Sequence, residues 1–152
     1  MADSFKNVVM NRKARHEYEI IDTYEAGIEL KGTEVKSIRQ GRMNINDSYC
    51  YIESGEIFLE NAHVSPYEQG NIFNVDPLRK RRLLMHKREI LRLFSQVKEK
   101  GFSLIPLRIY LKNSNIKVEV ALCRGKKLYD KREASAKRDA QRQMDRALKG
   151  SY

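Results

Sequence analysis

The chain has 152 residues, with 30 Lys and Arg against 20 Asp and Glu, a net charge of +10. That length suits one domain with a hydrophobic core of its own, and 41% hydrophobic with 33% charged residues excludes both wholesale disorder and a membrane protein. With no run near the roughly 18 apolar residues of a membrane span, ten excess positive charges make a polyanion the expected partner.

Residues 1–11 lack an apolar stretch followed by small residues, so secretion is not expected. Cys50 and Cys123 are isolated. They provide neither a disulfide framework nor a zinc pair, and they fit a reducing cytoplasm, the expected location. The basic run Asn11-Arg12-Lys13-Ala14-Arg15-His16 leads into residues 17–31, where Tyr18, Ile20, Tyr24, Ala26, Ile28 and Leu30 share one phase of a two-residue repeat. Glu17, Glu19, Glu25, Glu29 and Lys31 take the other phase. This predicts a long, half-buried strand that coils to serve both sides of a small barrel, with Gly27 as the place to bend or bulge. Gly32-Thr33 then opens a short helix. Thr33 is the expected N-cap, Val35 and Ile38 share a face, and Gly41 closes it in a left-handed conformation.

Residues 48–53 and 56–62 read as strands joined tightly at Ser54-Gly55. Pro66, Gly70, Asn71, Asn74 and Pro77 mark a long surface loop over residues 65–77. Ile90, Leu93, Phe94 and Val97 give the helical stripe of a helix over residues 86–100, ended by Lys98, Lys100 and Gly101. A second hairpin follows, with arms 102–111 and 116–123 around Lys112-Asn113-Ser114-Asn115. Pro106 must sit at an edge or a bulge. Five strands with a helix before the last hairpin predict a mainly β fold. The expected form is a small closed antiparallel barrel of oligonucleotide-binding type, with two or three helices, although a two-layer α+β sandwich gives much the same pattern.

The composition changes at Arg124, which divides a domain over residues 1–124 from a tail over residues 125–152. That tail carries nine Lys and Arg against four acids, half of the net charge. Its only apolar line is Ala136, Ala140, Met144 and Leu148, too little to fold alone. The expectation is a tail disordered when free and helical on a polyanion.

Enzyme signatures are absent. Gly125-Lys126 resembles the end of a phosphate loop, but Val120 stands where that motif needs Gly. His16, His63 and His86 fall on separate elements, and His16 and Glu17 would point to opposite faces of a strand. The basic clusters carry more. Arg79, Lys80, Arg81, Arg82, Lys87 and Arg88 fall within ten residues with no acid. One cluster is usually a solvated face, but three in one small chain favour a polyanion-binding surface. Among the aromatics, Tyr18, Phe58, Phe94 and Phe102 read as core, while Tyr67 and Tyr129 sit where a ring could stack on RNA bases. Glu25 lies on the polar phase, where an acid within a basic surface can accept ribose hydroxyls.

Several of these segments resemble one family. Asn11 to Tyr18, Tyr24-Glu25-Ala26-Gly27-Ile28 and Gly32-Thr33-Glu34-Val35-Lys36-Ser37 are similar to the opening of the SmpB family, partners of transfer-messenger RNA. The resemblance continues through Asn46 to Tyr49, Ser65 to Gly70, Asp76-Pro77, Leu83 to Glu89, Gly125-Lys126-Lys127 and Asp130-Lys131-Arg132. It implies an oligonucleotide-binding-like barrel with a flexible tail and a role in trans-translation, the rescue of bacterial ribosomes stalled on messages without a stop codon. In that family the barrel binds the tRNA-like domain, the tail enters the empty mRNA channel near the decoding centre, and elongation factor Tu with GTP delivers the RNA. The resemblance implies no catalysis and no cofactor. It places the RNA surface on Arg12, Lys13, Arg15, Tyr18, Glu25, Leu84 and Lys117. It places the ribosome-contacting tail on Gly125, Lys126, Lys127, Tyr129, Asp130, Lys131 and Arg132. Leu84 is implied by the resemblance alone, because its spacing reads as core. The alternatives are a generic single-stranded RNA-binding or chaperone barrel and a structural ribosomal protein.

Overall fold

A computed structural model describes residues 4–69 and 74–126. Among the described residues, nine strands and three helices run in the order β1 (Phe5–Met10), α1 (Ala14–Glu17), β2 (Tyr18–Ile28), α2 (Gly32–Arg39), β3 (Met43–Asn44), β4 (Tyr49–Glu53), β5 (Glu56–Glu60), β6 (His63–Val64), β7 (Arg81–Leu84), α3 (Lys87–Lys100), β8 (Ser103–Lys112) and β9 (Asn115–Gly125). The tail from residue 127 onward, with Lys127, Tyr129, Asp130, Lys131 and Arg132, lies outside the described residues, as does the stretch 70–73 of the expected loop.

The main sheet is antiparallel and returns on itself. β8 pairs β4, then β5, β7, β2 and β9 follow in order, and β9 pairs back to β8. This ring of six strands bears out the expected closed antiparallel sheet. β1 lies against the second half of β8, from Phe5 opposite Lys112 to Met10 opposite Arg108. Two hairpins turn on left-handed pairs, Ser54-Gly55 and Asn113-Ser114, as the spacing of the flanking strands demands. Five strands were expected. The additional ones are the edge strand β1, the short pair β3–β6 and β7, whose Arg-Arg-Leu-Leu reads as a charge run rather than an alternation.

The core inside the ring is built by Ile57, Leu59, Leu83, Leu104, Ile109, Val118, Val120 and Leu122, with Ile38 from α2 and Ile90 and Leu93 from α3. A second, smaller core lies under α1, where Ala14, Ile105, Leu107, Ala121 and Cys123 pack with Tyr18 and Ile20. Both cores draw on one apolar phase of β2 because the strand bulges between Ile20 and Asp22. Ile20 faces Cys123 and the small core, whereas Ala26, six residues on, faces Val118 and the main core. One extra residue exchanges the two faces of a strand. The bulge therefore sits at Ile21 and not at Gly27, where the register runs on without interruption. A matching shift beside Pro106 lets β8 do the same, as its proline required.

The N-cap of α2 is Lys31, whose N–H is taken by Oε1 of Glu34 at 2.9 Å, so the expected Thr33 cap lies inside the helix. Gly41 at φ 75° and Gly101 at φ 68° follow α2 and α3 in the left-handed region. No helix among the described residues is long and apolar enough to cross a membrane.

Candidate nucleic-acid interface

The expected RNA residues form two groups at opposite ends of β2. At its start, Asn11 roots a basic turn. This side chain is buried and fully bonded. Its Nδ2 donates to the carbonyls of Ile45 (3.2 Å) and Pro106 (2.9 Å), and its Oδ1 accepts the Ala14 N–H at 3.2 Å. Held this way, α1 keeps Ala14 in the small core and leaves Arg12, Lys13 and Arg15 exposed. Lys13 pairs with Asp47 at 3.2 Å, a solvated contact of little energy, so its charge stays available. Tyr18 is half-buried at the edge of the small core, and burial pushes its hydroxyl pKa up. Gly125 lies directly across from Tyr18, the Lys126 N–H bonds the Glu17 carbonyl at 2.9 Å, and Lys126 Nζ reaches the Arg15 carbonyl at 3.3 Å. The first two residues of the expected tail are thus zipped to the basic turn.

About 23 Å along the strand at ~3.3 Å per residue, Glu25, Leu84 and Lys117 come together at a concavity of about 620 Å³, which Gly27, His86 and Lys87 also line. Gly27 sits between the other two strands, opposite Leu84 of β7 on one side and Lys117 of β9 on the other. A Cβ at this glycine would lie 3.2 Å from the Leu84 Cβ, so the absence of a side chain is what lets Leu84 lie over β2. In β7, Arg81 and Leu83 point inward, so Leu84 points out and is 47% exposed, against the core position its spacing suggests.

Glu25 is held by two donors from β8. The Tyr110 hydroxyl donates to Oε2 at 2.5 Å and Lys112 Nζ donates to Oε1 at 3.3 Å. The Tyr110 bond, with help from Lys112 and Lys117, holds the Glu25 carboxyl below the usual carboxylate range. Tyr110 itself is raised, by burial first and then by the carboxylate it serves. Each oxygen of Glu25 keeps acceptor capacity beyond the bond it makes, so the site offers a fixed anion, an exposed apolar side chain and a cation within one cleft.

The cluster at residues 79–88 is largely committed inside the fold. Arg81 is wholly buried, with Nε 2.7 Å from Oε2 of Glu34 and its other nitrogens bonded to the carbonyls of Ala62 and Pro77. Arg79 meets Oε1 of the same carboxylate at 2.7 Å. Burial would push Glu34 up, but bonds from Arg79, the Lys31 N–H and Arg81 outweigh it and hold this carboxyl below its ordinary value. Arg82 pairs with Glu29 and Glu56, and Lys80 pairs with Glu53 and lies 4.2 Å from the Phe58 ring centre. Within this cluster, Lys87 and Arg88 at the start of α3 are exposed and make no ion pair among the described residues.

Of the aromatics expected in the core, Tyr18, Phe58 and Phe102 are half-buried, but Phe94 is 43% exposed, because α3 turns only Ile90 and Leu93 fully inward. Tyr67 is bracketed in its loop by two bonds with Asn74, a bond to Gln69 and Lys36 over its ring. Among the described residues no group of three or more His, Cys, Asp or Glu converges as a metal site.

A profile of the family described as SmpB protein matches residues 8–150. The SsrA-binding protein of Desulforudis audaxviator (strain MP104C) is 61% identical over 145 residues, covering 95% of both chains. That of Carboxydothermus hydrogenoformans is 58% identical over 147 residues, covering 97% of this chain and 99% of the other. A solved chain described as "tmRNA-SmpB: a journey to the center of the bacterial ribosome" superposes with a TM-score of 0.68 at 51% identity, covering 84% of this chain and 93% of that one.

Proposed function

The chain belongs to the SmpB family, and from that premise we propose that it binds transfer-messenger RNA and enables trans-translation, rescuing stalled ribosomes. The observation that carries the proposal is the convergence of Glu25, Leu84 and Lys117 on three adjacent strands. A carboxylate that accepts hydroxyls, an apolar side chain that packs on a base or ribose and a cation for phosphate suit a folded RNA, which is recognised by shape and 2′-hydroxyls. Arg12, Lys13, Arg15 and Tyr18 extend the same contact from the other end of β2. The sheet ring therefore binds the tRNA-like domain. The tail, from Gly125 through Arg132 and the basic stretch beyond, enters the vacant mRNA channel, where ribosomal phosphates offset the entropy of ordering it. Elongation factor Tu with GTP joins through the RNA, the setting is the cytoplasm, and the protein acts as a binder rather than as an enzyme.

Truncation after Lys126 tests the division of labour. It keeps the pairing of Gly125 with Tyr18 and of Lys126 with Glu17. Transfer-messenger RNA should still bind with near-native affinity while tagging on stalled ribosomes is lost. Tagging that survives the truncation would overturn the role of the tail. A preparation whose copurifying RNA, sequenced without selection, lacks transfer-messenger RNA would overturn the role of the ring.

A further inference from the structure

A second concavity, of about 430 Å³, opens between α3 and strands β4 and β8. It shares no lining residue with the Glu25–Leu84–Lys117 cleft. Five aromatic rings line it, those of Tyr18, Tyr49, Tyr51, Phe94 and Phe102, together with Lys98 and no carboxylate. Tyr49 and Phe94 are each 43% exposed, and Tyr49 and Tyr51 stand 6.2 Å apart, centre to centre. Lys98 Nζ lies 5.8 Å from the centre of the Phe94 ring, one turn along the helix.

We infer that this groove takes unpaired nucleotides of an RNA, with bases stacked on Tyr49 and Phe94 and the backbone drawn to Lys98. Partly exposed rings beside a cation make a sequence-tolerant platform for single strands. The charge balance favours a polyanion, since the only charged residue in the lining is positive. The groove is also continuous with the basic turn. The smaller concavity beside it shares Tyr18, Tyr49 and Ile105 and carries Lys13 with Asp47 and Glu17, so a strand leaving the rings passes the exposed Arg12–Arg15 segment. This contact is additional to the Glu25–Leu84–Lys117 cleft, and it meets the folded-RNA surface only at Tyr18 and the basic turn.

The test uses the whole chain and an oligouridylate of about eight nucleotides, inside the ~4–16-nucleotide range of single-strand sites, carrying one 4-thiouridine. Light-induced adducts are located by mass spectrometry, and affinity is read by fluorescence anisotropy. Adducts on the peptides holding Tyr49, Phe94 or Phe102 are expected. Phe94→Ala and Tyr49→Ala should each weaken the oligonucleotide at least about fivefold, from ~1–3 kcal/mol per stacked base, while leaving affinity for the folded tRNA-like domain within twofold. Leu84→Ala should show the reverse. Lys98→Glu, a solvent-facing change, provides a variant whose folding is not in question and should weaken the oligonucleotide with a reduced salt dependence. Adducts confined to residues 125–152 or to the Leu84 cleft would overturn the proposal, as would unchanged affinity in all three groove variants. A groove that yields no adduct and is shielded only by an added ribosomal protein would assign it to a protein partner and overturn it equally.

Discussion

Tyr110 and Glu25 lie on β8 and β2, strands that do not pair with each other, yet the Tyr110 hydroxyl donates to Oε2 of Glu25 at 2.5 Å across β9. A buried phenol thereby fixes an exposed carboxylate. With Glu25 in place Tyr110 is 3% exposed, and the only partner of its hydroxyl among the described residues is this carboxylate. The bond therefore ties the chemistry of the candidate RNA site to the stability of the sheet.

Glu25→Ala leaves that buried hydroxyl without its acceptor, which costs about 1–3 kcal/mol. It should lower both RNA affinity and melting temperature, the latter by several degrees. Glu25→Gln keeps an acceptor and should lose RNA affinity with a smaller thermal change. Thermal melts of the two variants beside RNA binding separate the effects, and equal melting of Glu25→Ala and the native chain would show that the bond carries no stability.

Tyr110→Phe removes the main influence holding the Glu25 carboxyl low. Its titration, followed by carboxyl NMR, should move up toward the ordinary value. Since the native carboxyl is depressed, the contribution of this bond is complete at neutral pH and fades as pH falls through the native value. The acid limb of RNA binding should shift upward in Tyr110→Phe, and a titration that does not move would assign the depressed value to the lysines instead.

Glu34 and Arg81 predict a larger effect on folding. Arg81→Met leaves a buried carboxylate with one partner fewer and should destabilise by about 3 kcal/mol, at the low end for a broken buried pair, because Arg79 remains. The Glu34 carboxyl is depressed below its unfolded value of 4.5, so its stabilisation is full above that pH and declines as pH falls further. Glu34→Gln should flatten the acid limb of stability, measured by denaturant melts from about pH 3 to pH 7.

Gly27→Ala places a methyl 3.2 Å from the Leu84 Cβ, which the β2–β7 register holds in place. It should cost about 1–2 kcal/mol, as overpacking does, and weaken RNA binding by displacing Leu84. Gly32→Ala, where nothing lies within 4 Å, is the control and should leave melting unchanged or raised.

Cys50 and Cys123 are both buried and free. Burial pushes the Cys123 thiol to about 12 and raises Cys50 as well. Neither should react with a thiol reagent at pH 8 in the folded chain, and both should react once it is unfolded. Rapid labelling of the native protein would show that the sheet opens locally.

What the sequence determined by itself is what a few neighbouring residues decide. The alternation along β2 and β9, the stripe Ile90–Leu93–Val97 of α3, the left-handed turns at Ser54-Gly55 and Asn113-Ser114 and the closed antiparallel class follow from local periods and turn chemistry. Of the candidate RNA residues, the basic run holding Arg12, Lys13 and Arg15 was legible as charge, whereas Leu84 was legible only through resemblance, which also singled out Glu25. Nothing local distinguishes Glu25 from other strand acids, and nothing local marks Leu84 as outward. Ring closure decided the rest. It brought Tyr110 to Glu25 across 85 residues and Arg81 to Glu34 across 47. It turned four of the six basic residues of the 79–88 cluster into ion pairs within the chain and, through the bulge at Ile21, split one apolar phase between two cores. The physical reason is range. Backbone periodicity acts over a few residues, whereas the partner of a buried charge or a fixed carboxylate is chosen by which distant strands the closed sheet sets side by side.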